Sequence, residues 1–204
     1  MDVTPLQRNL TRVGYSLALD GQLGPMTMTA LLKALCSRTA HPDRLTALGG
    51  ALATQLKAAG IWTPARVQHF LAQAMHETAG FRHLEEVGGP IYFKRYDGRA
   101  DLGNTRPGDG ARYHGRGIFQ LTGRANYRDL GSRLGLPLEQ EPEQAADPVV
   151  SVRIAVAYWL DRGIDAKADA DDLGGVTRKI NGGLNGLDDR RDRLAGIRKL
   201  WGAA

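Results

Sequence analysis

Two short stretches carry the carboxyl groups most able to do chemistry. In the first, FLAQAMHETAGF from Phe70 to Phe81, Glu77 follows His76 at the end of an apolar helical pattern. Glu77 falls within about 20° of Phe70 on a helical wheel, so it ends the apolar stripe. A carboxyl placed there is partly desolvated, which favours its neutral form and lets it donate a proton to a leaving oxygen. The alternative is a glutamate that reaches solvent at the helix end.

The second stretch is RHLEEVGG, in which Glu85 and Glu86 follow Glu77 by eight and nine residues. Gly80 should end the helix, so the chain can fold back and aim one of the two carboxyls across a cleft. An inverting glycosidase needs two carboxyls, one to protonate the glycosidic oxygen and one to activate water from the opposite face. The spacing leaves open a solvated acidic pair and does not choose between Glu85 and Glu86.

Metal and cofactor chemistry has weaker support in the sequence. The zinc motif H-E-x-x-H is incomplete because Gly80 stands at its second histidine position. His69 and His76 could hold a metal, but a polar helix face explains them better. Cys36 is the single cysteine, which excludes an internal disulfide and a cysteine-rich zinc site. No dinucleotide-binding or Walker loop is present, so we expect no metal and no cofactor.

The surrounding elements are predicted to be mainly helical. Thr63 and Pro64 provide an N-cap and a first-turn proline for the helix that carries Glu77. Residues 88–117 hold eight glycines and no helical period, as in a functional loop. The sequence from Asp147 to Gly163 is apolar nearly all round and predicts a buried central helix. We therefore expect a mainly α domain with a loop-rich substrate cleft.

The N-terminal part forms a separate pattern. Residues 1–36 read as two short helices around the turn LDGQLGP, and a polar connector follows. We predict a small N-terminal helical segment, residues 1–40, followed by a catalytic domain, residues 41–204. The basic last helix has an apolar stripe and is expected to pack, with disturbance of outer membranes as the alternative.

The composition indicates the classes of partner. A net charge of +5 and a pI near 9.6 favour anionic partners. The sequence contains no run of about 18 apolar residues, so it predicts no membrane-spanning helix. The first residues lack a basic region followed by an apolar one, so we expect no secretory signal.

Three stretches together resemble glycoside hydrolase family 19, the chitinases and related phage endolysins of lysozyme-like fold. They are FLAQAMHETAGFRHLEE, DGRADLGNTRPGDGARYHGRGIFQLTGRANY and KINGGLNGLDDRRDR, spread over residues 60–195. The resemblance implies a lysozyme-like α-helical catalytic domain. Ala79 stands where the family motif usually has glycine.

The resemblance also implies roles for individual residues. Glu77 matches the general acid and Glu86 the carboxylate that activates water, with Glu85 as its rival. Thr122 matches a hydroxyl residue that helps to hold the water, since a hydroxyl both donates and accepts. Arg190 is expected to pair with a catalytic carboxylate, although Arg191 stands beside it. The residues expected to bind substrate are Gln120, Asn126, Tyr127, Asn181, Arg190 and Tyr113.

The resulting hypothesis is an endolysin-type glycosidase that cuts β-1,4 bonds between the amino sugars of peptidoglycan by inversion. A chitinase and a non-catalytic wall-binding protein are the alternatives. The N-terminal segment resembles a peptidoglycan-binding module, and an extension packed on the catalytic domain is the other interpretation. We expect a monomer that binds glycan strands and the anionic outer-membrane surface, without nucleic acid or stable membrane insertion. It would be made in the host cytoplasm and act on the periplasmic wall after membrane permeabilisation.

Overall fold

The computed structural model describes residues 1–36 and 38–202, and helices dominate this part of the chain. Its regular structure outside helices consists of two isolated antiparallel bridges, Glu85–Arg116 and Arg116–Leu121. The predicted mainly α fold class is confirmed. None of the helices described is both long enough and apolar enough to cross a membrane. The α-helices are α1 Thr4–Arg12, α2 Pro25–Cys36, α3 Pro42–Ala58, α4 Pro64–Glu77, α5 Pro90–Phe93, α6 Asp109–Arg112, α7 Arg124–Leu134, α8 Pro148–Asp161, α9 Asp165–Asp169, α10 Leu173–Asn181 and α11 Leu187–Trp201.

The chain divides into two compact units. Unit 1 comprises Met1–Arg82 and Val156–Ala204, and unit 2 comprises His83–Ala155. This division differs in kind from the boundary predicted at residue 40, because unit 1 joins both ends of the chain. The residue-40 boundary itself stays a prediction.

Helix α4 organises unit 1 and begins where the sequence predicts. The Thr63 side chain accepts a hydrogen bond from the Arg66 amide at 3.2 Å, and Pro64 occupies the first turn. Phe70 is fully buried, and its ring centroid lies 5.2 Å from that of Trp159 on α8. The nine consecutive residues from Val67 to Met75 are buried, so α4 is enclosed on all sides there, with α11 as its main partner. Packing therefore holds the end of α4, which carries Glu77, in a fixed position.

The chain leaves α4 through an unusual turn. Ala79, Gly80 and Phe81 have φ of 50°, 71° and 60°, so three successive residues occupy the left-handed region. A β-carbon at Gly80 would lie 2.5 Å from Thr39 Oγ1, so this position requires glycine for space as well as for φ. The Phe81 amide donates to Thr78 Oγ1 at 2.8 Å, and the Phe81 ring is fully buried. The helix thus ends at Glu77, and the left-handed turn through Gly80 follows it, within one turn of the predicted end.

The first three helices pack closely within unit 1. A β-carbon at Gly49 of α3 would lie 2.6 Å from the Thr29 α-carbon, so the two backbones touch at this glycine. The buried Gln7 side chain donates to Asp20 Oδ1 at 2.7 Å and fixes the turn between α1 and α2. Asn9 Nδ2 donates to the Leu200 carbonyl at 3.1 Å, which ties α1 to the end of α11. The N-terminal helices therefore share a core with α3 and α11.

Unit 2 arranges the glycine-rich segment around a small core of its own. Asn104 is fully buried; its Nδ2 donates to the Tyr96 carbonyl at 3.0 Å and its Oδ1 accepts from the Arg124 amide at 2.8 Å. Asp97 Oδ1 accepts from the Gly110 amide at 2.7 Å. These bonds hold short helical turns in place where the sequence predicts only a loop. The core comprises Tyr113, Tyr127, Leu138, Ala145 and Ile154.

Candidate active site

In unit 1, Glu77 makes an ion pair. It is the last residue of α4, and its side chain is 19% exposed. Arg190 on α11 is fully buried, and its Nη2 donates to Glu77 Oε1 at 2.5 Å. Arg190 Nη1 also donates to Gln73 Oε1, and Gln73 Nε2 donates to Thr177 Oγ1 at 3.2 Å. The partial burial predicted for Glu77 is present, and a buried guanidinium fixes the carboxyl as well.

The structure separates Arg190 from its neighbour. Arg191 is exposed and pairs with Asp188 on the same helix. Arg190 Nε donates instead to the Asn185 carbonyl at 3.3 Å, and Asn185 Nδ2 donates to Asn181 Oδ1 at 3.2 Å. Asn181 is exposed at the end of α10. Arg190 is therefore the arginine that pairs with Glu77, and Asn181 lies at the exposed end of the same hydrogen-bonded chain.

The two histidines of α4 point to different partners. His76 Nδ1 lies 2.5 Å from Asp189 Oδ2, which also accepts from Arg193 Nε at 2.6 Å. His69 is fully buried, and its Nε2 lies 2.7 Å from Asp171 Oδ1. Burial lowers the pKa of His69, although the Asp171 contact acts in the opposite direction. Within residues 1–36 and 38–202, no group of three or more acidic, histidine or cysteine side chains is placed to hold a metal ion.

In unit 2, three donors hold the Glu86 carboxylate, and the Glu86 amide makes a fourth hydrogen bond. Its backbone amide donates to the Gly115 carbonyl at 2.8 Å, and its Oε2 accepts from the Gly115 amide at 3.1 Å. Its Oε1 accepts from Arg95 Nη2 at 2.9 Å and from the Tyr96 hydroxyl at 3.0 Å. The Glu86 side chain is 18% exposed. Burial raises the pKa of Tyr96, so its hydroxyl stays a donor at neutral pH.

Gly115 shows how closely Glu86 approaches two other predicted residues. A β-carbon at this glycine would lie 2.6 Å from Gln120 Oε1, 3.2 Å from Glu86 Oε2 and 3.3 Å from Thr122 Oγ1. Thr122 Oγ1 also contacts the Gln120 carbonyl at 2.9 Å. The structure therefore brings Glu86, Gln120 and Thr122 together around one glycine. Any side chain at Gly115 would fill the space on which they converge.

Glu85 has different surroundings from Glu86. Its side chain is 51% exposed and accepts from His114 Nε2 and Arg116 Nε, each at 2.9 Å. Burial acts to raise the pKa of Glu85, but the bonds from His114 and Arg116 outweigh it and hold the pKa below its usual value. Glu85 thus belongs to an ion-pair cluster, whereas Glu86 lies beside the Thr122 hydroxyl.

Two predicted sugar-binding tyrosines are buried instead. The Tyr127 hydroxyl donates to the His114 carbonyl at 2.8 Å, and the Tyr113 hydroxyl donates to the Glu139 carbonyl at 2.9 Å. Both rings are essentially without exposed surface and belong to the core of unit 2. Neither ring offers surface for stacking on a sugar, so the structure corrects the expected direct contacts of the two rings with sugar. Instead, the hydroxyl groups of both tyrosines hold backbone carbonyls inside unit 2.

Asn126 is exposed and lies next to the Glu86 group. Its Nδ2 donates to the Thr122 carbonyl at 2.7 Å. Arg95 is a residue that the sequence analysis missed, because only the fold shows that the glycine-rich segment returns to Glu86. Its guanidinium stacks 3.7 Å from the centroid of the Tyr92 ring. In the sequence, only the aromatic residues of that segment indicate that it is ordered.

Comparison with known proteins shows the family of this chain. The family model for class I chitinases of glycoside hydrolase family 19 matches residues 56–177. A family 19 domain-containing protein of Haemophilus influenzae is 30% identical over 191 residues, covering 80% of this chain and 94% of that protein. The chain belongs to glycoside hydrolase family 19. This family 19 protein is therefore a glycosidase.

Other relatives extend the comparison. Chitinase 6 of Oryza sativa is 34% identical over 117 residues, covering 56% of this chain and 42% of that protein. The chain thus spans about two fifths of this plant relative. Chitinase C of Streptomyces griseus superposes with a TM-score of 0.68 at 23% identity, covering 85% of this chain and 91% of that chain. That superposition confirms the predicted lysozyme-like fold.

Proposed function

We propose that this family 19 glycosidase cuts β-1,4 bonds between amino sugars of bacterial peptidoglycan by inversion, as an endolysin-type lysozyme. The observation that carries the proposal is the convergence of the Glu86 carboxylate, the Thr122 hydroxyl and the Gln120 amide oxygen around Gly115. A carboxylate beside a hydroxyl can orient a water molecule and remove its proton. Inversion requires such a water on the face opposite the leaving oxygen.

Glu86 is the proposed base. Arg95, Tyr96 and the Gly115 amide fix its two oxygens, so the carboxylate is already oriented before substrate arrives. The Thr122 hydroxyl holds the attacking water while Glu86 takes its proton. Glu85 is not the base in this scheme, because its carboxylate lies in the cluster with His114 and Arg116, whereas Glu86 lies near the Thr122 hydroxyl.

Glu77 is the proposed acid and gives its proton to the glycosidic oxygen. Arg190 holds the Glu77 carboxyl in one orientation through a contact of 2.5 Å. Once the proton has left, the same guanidinium stabilises the carboxylate that remains. Arg190 is thus a positioning residue in the proposed mechanism.

Substitution of each carboxyl tests these roles. Glu77→Gln should reduce hydrolysis at least about a hundredfold with the fold intact, since an amide cannot supply the proton. Glu143→Gln, at an exposed glutamate, is the matched control. Glu86→Gln should be nearly as damaging, and Glu85→Gln mild. The opposite ranking of Glu85 and Glu86 would transfer the role of base to Glu85.

Thr122→Ala tests the water-holding role separately. The variant should lower kcat more than it raises KM, because Thr122 contacts the water and not the sugar. An unchanged kcat would remove Thr122 from the mechanism. Fresh product examined by NMR before mutarotation should have the α configuration. A β first product would contradict inversion.

The second candidate is a chitinase, because plant relatives such as Chitinase 6 bear that name. Both candidates use the same carboxyls and differ in substrate. Mass spectrometry of digested peptidoglycan shows which sugar is left at the reducing end. Rates on chitin oligosaccharides measured beside it decide between the two. Efficient cleavage of chitin with none of peptidoglycan would overturn the lysozyme proposal.

We also propose that residues 1–40 contribute to wall binding. Besides Met1, this segment exposes three large apolar side chains, Val13, Leu19 and Met26. Deletion of residues 1–36 is a poor test, because α2 packs on α3 and its loss would uncover the core. Replacing the three exposed residues by serine should instead weaken pull-down on insoluble wall, with cleavage of short soluble fragments unchanged. Unchanged pull-down would leave this segment as a packed extension.

The proposed route is synthesis in the host cytoplasm and action on the periplasmic wall after membrane permeabilisation. Its support is the proposed substrate, together with a basic surface that favours anionic wall material. Cells that make the protein should lyse only when a pore-forming protein is made with it. Lysis without that second protein would contradict the route.

A further inference from the structure

Unit 2 contains a polar pocket whose lining includes neither Glu86 nor Thr122. Its volume is about 320 Å³, and it is lined by Arg106, Arg112, Tyr113, Arg124, Glu139 and Gln140. Three guanidinium groups therefore line one pocket. None of the roles proposed for catalysis uses them.

The charges in this arginine pocket do not cancel. Both nearby carboxylates, Asp109 and Glu139, are engaged by Arg124. Arg112 Nη2 donates to the Gln140 carbonyl at 2.7 Å, which leaves its positive charge uncompensated. Arg106 is exposed, and its side chain has no ion pair within the part of the chain that the structure describes. Two of the three cations thus make no ion pair with a carboxylate within the described residues, although the charge of Arg106 helps to lower the pKa of Asp109.

Tyr113 holds two of these three cations, Arg112 and Arg124, in place. Its buried ring centroid lies 4.8 Å from the Arg124 guanidinium carbon and 5.6 Å from that of Arg112. Stacking of guanidinium on an aromatic ring limits its motion and leaves its edges free to donate. A planar guanidinium edge matches a carboxylate, which accepts two parallel hydrogen bonds. The pocket is therefore suited to a carboxylate.

We propose that the arginine pocket binds a carboxylate of the glycan substrate through Arg106 and Arg112. The inference rests on the proposed function, because the stem peptides of peptidoglycan carry free carboxylates, as do lactyl groups that bear no stem peptide, whereas chitin carries none. The pocket then distinguishes an anionic glycan from a neutral one. Arg124 has a structural role, since it holds Asp109 and Glu139.

The test compares charged and neutral forms of one substrate. The double variant Arg106→Gln/Arg112→Gln is assayed on soluble peptidoglycan fragments and on the same fragments with their carboxylates converted to methylamides. KM for the charged fragments should rise about five- to tenfold with kcat unchanged, the usual size for exposed charge-assisted contacts. KM for the methylamides should not move. Arg128→Gln, outside the pocket on α7, controls for the loss of charge.

Further arms identify the source of the carboxylate. An amidase removes the stem peptides and, in the same cut, frees the lactyl carboxylate, so a retained variant effect on stripped fragments supports a pocket that also accepts a lactyl carboxylate. An effect lost on stripping assigns the stem peptide. An equal change on charged and methylamide fragments, or no change on either, would overturn the proposal.

Binding separates this inference from the proposed function. Calorimetry with Glu77→Gln protein needs no turnover and uses muramyl dipeptide and its methylamide as probes. Tighter binding of the charged probe, lost in the arginine double variant, supports the pocket even if hydrolysis of peptidoglycan fails. Equal binding of both probes overturns the pocket even if hydrolysis succeeds.

Discussion

Replacing Ala79 by glycine should stabilise the folded protein, whereas a change to glycine usually destabilises one. Glycine normally destabilises a folded chain, yet Ala79 has φ of 50° in a turn of three left-handed residues directly after α4. The left-handed conformation costs an L-residue about 1–2 kcal/mol, which glycine avoids. Glycine also loses about 0.4–1 kcal/mol through its greater freedom in the unfolded chain. Ala79→Gly should therefore raise the free energy of unfolding by about 0.5–1 kcal/mol.

Thermal unfolding measures this change. For a chain of this size about 1 kcal/mol corresponds to about 2–4 °C, so Tm should rise by about 1–4 °C. Ala79 is exposed, so lost packing should not mask the effect. Ala195→Gly is the matched control, since Ala195 is exposed in the middle of α11. It should lower the free energy of unfolding by about 1 kcal/mol.

The outcome also bears on Glu77, two residues before Ala79. Glycine takes the same backbone conformation without strain, so the turnover number should stay close to that of the wild-type protein. A Tm at or below the wild-type value would refute the argument from backbone strain. A higher Tm with lower turnover would instead show that the strained turn helps to place Glu77.

Three other predictions follow from single contacts or from the chemistry. Arg190→Met should cost about 2–3 kcal/mol of stability and most of the activity, because Glu77 loses its buried partner. The control Arg191→Met, on the surface, should change the free energy of unfolding by less than about 0.5 kcal/mol. Equal losses of stability in the two variants would contradict the pairing of Arg190 with Glu77. Burial lowers the pKa of His69, so the folded protein binds fewer protons there than the unfolded chain does. The free energy of unfolding should then fall as pH drops below about 6.5, and His69→Gln should flatten Tm measured between about pH 5 and 8. EDTA should leave the hydrolysis rate unchanged because the proposed mechanism uses carboxyls; a sensitive rate would revive a metal site.

Local features of the fold could be predicted from the sequence. Thr63 and Pro64 mark the start of α4 and Gly80 its end, because capping bonds and backbone φ act within a few residues. The motifs around Glu77 and Thr122 were enough to indicate the family. The glycine expected at position 79 now has a physical reason, since the backbone there is left-handed.

Only the tertiary structure decided which side chains meet. Arg190 contacts Glu77 although the two residues are 113 positions apart in the sequence. The sequence around Arg190 does not show that Arg190, and not the adjacent Arg191, makes this contact. Glu86 meets Thr122 because Gly115 leaves room for both, a condition that carboxyl spacing cannot express. A tyrosine at position 113 could stack on a sugar or support arginines from the core, and the sequence does not distinguish these two roles. Pairing and burial depend on how whole elements pack, so residue type and spacing leave them undetermined.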